Sequence, residues 1–343
     1  MPKHLPGAPL KHIRFKPGST VEVENKYGKI HVVPWSKDSV KFDIEYQLTA
    51  GSRDKLEKLK SSINFDYTVT AFYVGVKTVF GYNSKSIFSG LIDMAEYLLE
   101  SDNISVNYKV YVPANVTLGL NQKFGDIYID DFSGTLNIDL SNGDIKANSL
   151  TGKTNIKIAS GGGVIYNLEN GSADISYSNF TVRNGGKVNF VSRSSKLIFE
   201  DVQYLKGDSR RDKITVEKLN QMYGESYFSD LTVEELSNEF DYNLKYGNLN
   251  IEKLQKGFNF INISSEYTDI QMLYDRQAAF EIDVTHSPDV YLQIPNHLAN
   301  LQQKTVGEAG TGLITYGTVG GSNPSSKIKI SALKKCNIEI NYR

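Results

Sequence analysis

The sequence predicts an all-β fold, a right-handed parallel β-helix (solenoid) with a small α-helical insertion near its N-terminal end, and three observations carry that prediction. The first is a phrase said nine times between residues 125 and 272. It opens as Phe124-Gly125-Asp126-Ile127-Tyr128-Ile129 and Asn142-Gly143-Asp144-Ile145-Lys146-Ala147, and later copies keep a small or polar turn pair ahead of an apolar residue. The leading apolar residues fall at 127, 145, 165, 180, 197, 214, 231, 249 and 270, a step of roughly 18 residues, which is one coil of a solenoid and too short for a domain. The second is a further apolar alternation between these marks, as in Leu136-Asn137-Ile138, Val188-Asn189-Phe190 and Phe280-Glu281-Ile282. Each coil therefore carries at least two short strands with one face in and one out. The third is the placing of Gly, Asn, Asp and Ser where the chain must turn, because Gly adopts positive φ without steric cost and Asx side chains satisfy the turn backbone. A right hand follows from the usual hand of strand-crossover-strand connections.

The elements follow in chain order. Val21-Glu22-Val23-Glu24-Asn25 alternates, Tyr27-Gly28-Lys29-Ile30-His31-Val32 matches the repeat, and Val40 to Tyr46 alternates again, so this stretch reads as an opening coil or a small sheet over the first coil. Leu56, Leu59 and Ile63 then fall at helical spacing behind Ser52, a candidate N-cap. Residues 65–79 return to strand-like alternation. In residues 85–100, Phe88, Leu91, Ile92, Ala95, Leu98 and Leu99 form one face of a second helix, expected to pack on the N-terminal coils. Its acids Asp93, Glu96 and Glu100 disfavour a membrane-surface role. Residues 104–112 make a strand that Pro113 closes, and the uniform repeats begin near Val116. Residues 307–326, rich in Gly, Ser and Thr, predict an exposed loop; Ile328-Lys329-Ile330 and Ile338-Glu339-Ile340 predict closing strands. The expected organisation is thus a capping region with N-terminal coils and helical insert at 13–112, repeats at 113–300 and a C-terminal loop with closing strands at 301–343. Ile127, Ile145, Leu197, Ile214, Leu231, Leu249 and Ile270 should share one interior ladder.

Composition narrows the function. Lys plus Arg number 38 against 39 for Asp plus Glu, with no strongly basic block, which argues against nucleic acid, whose binding needs clustered cations. Cys336 is the single cysteine, so no internal disulfide forms, and its alternation with Ile338 and Ile340 predicts a buried, inert thiol. No apolar run approaches the roughly 18 residues that would span a bilayer.

The order of the pieces resembles a known family. Val23 to Val32 followed by Trp35, a helix-bearing interruption, Val110-Tyr111-Val112-Pro113 and a train of Gly-Asp-Ile coils is similar to the putative adhesin family of bacterial cell-envelope β-solenoids, over about residues 13–300. The resemblance implies a right-handed parallel β-helix, a cell-envelope or extracellular location after removal of a signal peptide, and an adhesive, binding or scaffolding role. It supplies no catalytic residues. The chain departs from the family in its start, which has no apolar signal core, and in the helix near Leu91.

No pattern of catalytic residues stands out: there is no Walker loop, no Gly-x-Ser-x-Gly elbow and no dinucleotide fingerprint. Gly161-Gly162-Gly163 lies between two strands and reads as a bulged turn. The five histidines form no metal-ligand spacing, and Asp126 and Asp144, 18 residues apart, read as solvated turn acids in adjacent coils in preference to a calcium seat. No metal, cofactor or catalytic set is therefore expected, and the chain reads as a non-enzyme. The alternative is a polysaccharide lyase or glycoside hydrolase built on a β-helix, with acids near Arg210, Arg211 and Lys213. The aromatic residues are more informative. Tyr177, Tyr204, Tyr223, Tyr246 and Tyr267 recur near coil turns, where equivalent positions stack into ladders. Tyr223, Tyr246 and Tyr267 are the candidate binding residues, and a glycan or a cell-surface protein is the candidate partner.

Overall fold

The computed structural model describes residues 3–5, 11–14, 18–81, 104–306, 312–321 and 324–343. The described chain is almost entirely strand, and most pairings are parallel and between segments one repeat apart, as in a solenoid. It divides into two compact units, residues 1–167 and 168–343. The predicted helix of residues 85–100 lies outside the described residues.

In the first unit, β3 (Thr20–Trp35) is the opening coil. It pairs in parallel with β8 (Thr117–Ile129), placing Val21 beside Leu118, Ile30 beside Ile127 and Val32 beside Ile129. The described part of the intervening chain forms a cover, pairing in parallel along β3. Within it β4 (Ser39–Leu48) runs antiparallel to β7 (Ile104–Pro113), and β5 (Ile63–Val69) and β6 (Tyr73–Phe80) form an antiparallel pair. Helix α1 (Arg53–Ser62) starts where the sequence places it, since the Ser52 hydroxyl accepts a hydrogen bond from the Lys55 N–H. Regular coils follow: β9 (Thr135–Ser141) sits between β8 and β10 (Asp144–Ala159), with Leu118, Leu136 and Thr154 in one file and Ile127 beside Ile145 in another.

In the second unit, β12 (Asn179–Arg193), β13 (Lys196–Arg210) and the long β14 (Lys213–Leu254) pair in parallel at 17-residue offsets, Phe180 beside Leu197 beside Ile214. β15 (Phe260–Tyr274) joins with Leu249 beside Ile270. The chain's end does not simply close the stack. β20 (Ser326–Ala332) lies between β15 and β16 (Phe280–His286), parallel to both, and β21 (Asn337–Tyr342) likewise pairs with β15 and β17 (Tyr291–Gln293). Beyond β16 come two antiparallel strands, β19 (Gly312–Val319) and β18 (Ala299–Val306). A switch to antiparallel pairing covers the edge of the parallel ladder. Part of the expected 307–326 loop is therefore strand β19, because Leu313, Ile314, Tyr316 and Val319 give it enough apolar side chain to pair between β16 and β18.

The interior explains the register. Ile127, Ile145, Leu197, Ile214, Leu231, Leu249 and Ile270 are each no more than 1% exposed. Burying a side chain of this size stabilises by roughly 1.5–3 kcal/mol, and a one-residue slip would turn every one of them outward. Ile165 is also buried, yet it does not stand in this file. Gly163 does, three residues after the left-handed Ser160 and with the Ile145 side chain 2.3 Å from where a Cβ would be, so Ile165 belongs to the second apolar file with Ala147. Cys336 is buried and unpaired, and burial pushes its thiol up from its ordinary value.

Candidate ligand-binding face

Three residues before each position of the interior file, the backbone turns through the left-handed region. Tyr27, Phe124, Asn142, Ser160, Tyr177, Ser194, Arg211, Phe228, Tyr246 and Tyr267 all have φ between 52° and 66°. The turn that closes the coil demands this conformation, and the residue after it is always small: Gly28, Gly125, Gly143 and Gly161 in the first unit, Ser178, Ser195, Asp212, Ser229, Gly247 and Thr268 in the second. Left-handed geometry costs an ordinary L-residue about 1–2 kcal/mol, Gly escapes the cost, and Asn and Asp bear it best. Six of the ten positions nevertheless carry Tyr or Phe.

Five of those six rings face solvent. Tyr177 is 64% exposed, Phe228 52%, Phe124 47%, Tyr267 46% and Tyr246 42%. Phe228, Tyr246 and Tyr267 form a flat stack, with ring centroids 4.8 Å and then 5.2 Å apart and planes within 6° of parallel. That spacing is the coil-to-coil rise itself. In the first unit Phe124 stacks on the buried Tyr27 at 5.6 Å, with the Lys26 ammonium over both rings.

Of the three tyrosines singled out in the sequence, the fold brings Tyr246 and Tyr267 together and sets Tyr223 in a different file. Tyr223 is half-buried and stacks on Tyr204 at 5.4 Å, and its hydroxyl donates to the Glu239 carboxylate. Burial and that bond push its phenol up to about 12, while hydrogen bonds from Tyr223 and Asn259 hold Glu239 below its ordinary value. Phe228 takes the place expected of Tyr223. The missed signal was positional: counting back three residues from Leu231, Leu249 and Ile270 gives Phe228, Tyr246 and Tyr267. Tyr242 and Tyr274, close by in sequence, are core residues.

Between Tyr177 and Phe228 the left-handed file carries Ser194 and Arg211, and the surface opens into a groove of about 670 Å³. Three parallel files line it, running Tyr177-Ser194-Arg211-Phe228, Ser178-Ser195-Asp212 and Asn179-Lys196-Lys213-Asp230. Asp212 does not face the opening. It is buried in the turn, accepting from the Ser192 hydroxyl at 2.5 Å and from the Ser195 and Arg210 N–H groups at 2.8 and 2.9 Å. Burial raises its carboxyl from the ordinary value, more than these bonds and the nearby Arg193 lower it. The turn acids of the first unit are structural too: Asp126 accepts from the Asp144 N–H at 3.0 Å. Among the described residues no three His, Cys, Asp or Glu side chains converge on a metal seat, and no helix is long and apolar enough to cross a membrane.

No family profile matches the sequence, and no curated protein matches it. Solved structures similar to the chain include a putative cell adhesion protein from Clostridium sporogenes ATCC 15579, 9% identical, with 100% of each chain covered and a TM-score of 0.23. A putative adhesin from Bacteroides fragilis NCTC 9343 is 12% identical over 72% of this chain and 97% of that one, with a TM-score of 0.34. A putative adhesin from Parabacteroides distasonis ATCC 8503 is 12% identical over 78% and 92%, with a TM-score of 0.29. These names are those of the family that the sequence resembles.

Proposed function

We propose that the protein is a non-enzymatic binding protein of the cell envelope or extracellular space, a right-handed parallel β-helix of adhesin type that holds an extended glycan, free or on a cell-surface protein, along the Phe228-Tyr246-Tyr267 stack. One observation carries the reading: aromatic rings occupy, and expose, a backbone position that penalises them. An aromatic pair is worth about 0.5–1.5 kcal/mol, no more than the left-handed backbone costs, so folding alone gives little reason to prefer Tyr over Asn there. A ligand does. Ring edges and the Tyr246 and Tyr267 hydroxyls form a flat strip that repeats once per coil, and an extended glycan can meet the same modest contact several times, so avidity rises without a deep pocket. Such a strip requires no acid or base of altered strength. The envelope location rests on the family resemblance read from the sequence, and the right hand on the general preference of parallel crossovers.

The Phe228→Asn, Tyr246→Asn, Tyr267→Asn triple variant tests this, because Asn tolerates the left-handed turn. It should keep or slightly raise the melting temperature while losing binding to cell-wall glycans and host-surface glycoproteins on an array. Retained binding would remove the stack from the function. Release of reducing ends or unsaturated sugars by the purified protein would replace the binding protein with the alternative, a polysaccharide lyase or glycoside hydrolase.

A further inference from the structure

Within the stack each ring covers its neighbour's face, so the exposed part of Tyr246 is its edge. The faces still open to a ligand lie at the groove. Phe228 is stacked on Tyr246 on one side only, and its other face looks toward the coil of Arg211. Tyr177, three coils away, has no ring partner among the described residues and closes the far side. Three coil steps put these walls about 14 Å apart along the axis.

Cations outnumber acids in the space between them. Arg211, Lys196 and Lys213 line it and are exposed, and none has an ion pair or a side-chain hydrogen bond among the described residues. Two acids line the groove as well. Asp212 is turned inward onto Ser192, Ser195 and Arg210, as described, and Asp230 is engaged by the Asn248 side-chain amide, which donates to it at 2.7 Å. Elsewhere on this unit some lysines are paired across coils, Lys253 with Glu235 and Lys245 with Glu266. Three cations without ion pairs therefore stand between two aromatic walls, against the two acids Asp212 and Asp230.

We infer that the groove is a subsite for an anionic glycan unit, its sugar ring against Phe228 or Tyr177 and its oxyanion on the Arg211 guanidinium, with Lys196 and Lys213 adding longer-range attraction. The guanidinium presents a planar fork that matches a carboxylate or a phosphate with two parallel N–H donors, which a lysine cannot do. Carboxylate and phosphate share this chemistry, so a uronate polymer and a phosphodiester-linked polyol both qualify as sources. The aromatic walls select a sugar-bearing anion over a free one. The inference rests on the glycan-binding reading above and deepens it by naming the class of glycan.

The experiment compares three polymers on the intact protein: polygalacturonate, a glycerol-phosphate polymer and a neutral β-glucan. Wild type should bind at least one acidic polymer roughly 10-fold or more tighter than the neutral one in low salt, and the preference should shrink as salt screens the exposed cations. Arg211→Gln with Lys213→Gln should abolish that preference, leave neutral binding unchanged and keep the melting temperature. Arg211→Lys should lose most of the preference although the charge is kept. Which acidic polymer wins identifies the oxyanion. Equal binding of acidic and neutral polymers by wild type, or an unchanged preference in the double variant, overturns the subsite and leaves the stack's role standing. Failure of wild type to bind any polymer removes the underlying reading.

Discussion

The two units close the same left-handed turn with different chemistry. In residues 1–167 the residue after the turn is glycine, and no other fits: a Cβ on Gly143 would lie 2.0 Å from the Gly125 carbonyl oxygen, and one on Gly125 1.7 Å from that of Gly28. In residues 168–343 the same place holds Ser178, Ser195, Asp212 and Ser229, whose side chains knit the coils together. Ser195 Oγ accepts from the Ser178 N–H at 3.2 Å, Asp212 from the Ser195 N–H, and Ser229 Oγ from the Asp212 N–H at 3.1 Å. The serines also donate back to carbonyls two residues earlier, Ser195 to Arg193 at 2.9 Å and Ser229 to Tyr227 at 3.1 Å. The choice follows coil length along the regular coils from Gly125 to Gly247, and Thr268, 21 residues after Gly247, departs from it. Gly125, Gly143 and Gly161 succeed one another at 18 residues, whereas Ser178, Ser195, Asp212 and Ser229 do so at 17. Gly247, in the second unit but 18 residues after Ser229, reverts to glycine, with the Ser229 carbonyl 2.0 Å from where its Cβ would be. In the 18-residue coils the turn backbone lies against the preceding carbonyl, and in the 17-residue coils a side-chain oxygen caps the neighbouring N–H.

The largest effect is expected in the interior file, which both regions carry. Leu231→Asp places an unpaired charge in the shared interior file and should cost several kcal/mol, enough to abolish a cooperative melt. A variant that melts like the parent would make the register wrong. Next comes the contrast between the turns. Gly143→Ser, although it imports the other region's residue, should lose about 3 kcal/mol because the Cβ meets backbone. Ser195→Ala should lose only about 1–2 kcal/mol, the cost of leaving the Ser178 N–H without its acceptor. Chemical denaturation of both variants measures the difference, and equal losses would mean that coil length does not set the turn chemistry.

A smaller effect is expected at Asp212. It stands alone as a carboxylate in a file of serines, and its folded-state pKa is raised above the ordinary 3.8. A raised carboxyl contributes stability that is fully present below the unfolded value and is lost as pH rises through the folded one. Asp212→Ser should therefore gain on wild type as pH climbs from below the carboxylate range to neutrality, read as the difference in melting temperature across a pH series. A difference that moved the other way would mean that the bonds from Ser192, Ser195 and Arg210 outweigh burial.

The repeat was legible because its marks are apolar and evenly spaced, and Ile30 beside Ile127 shows that even the distant opening coil obeyed the pattern. Where the marks were uneven the alignment slipped. The steps of 20 into position 165 and 15 out of it straddle Gly163, which fills the file with no side chain at all. Ser52 announced its helix through a local cap. Strand β19 was hidden by Gly312 and Gly317, whose turn-like composition masks a segment that antiparallel partners make extended. The aromatic stack is half legible: recurrence points to Tyr246 and Tyr267, which stack, whereas Tyr223 shares their residue type and not their phase in the coil. Phase decides which rings stack, and it becomes readable only once the left-handed position is known.

In the proposed function, one aromatic position, repeated coil by coil, holds an extended glycan. Its most direct test is affinity against ligand length, by titrating oligosaccharides of increasing length from one polymer that the protein binds. Repeated contact predicts that affinity rises with each added unit until the ligand spans the Phe228-Tyr246-Tyr267 stack, then levels, and that the rise is absent in the triple Asn variant. An affinity independent of length in the wild type would contradict the account.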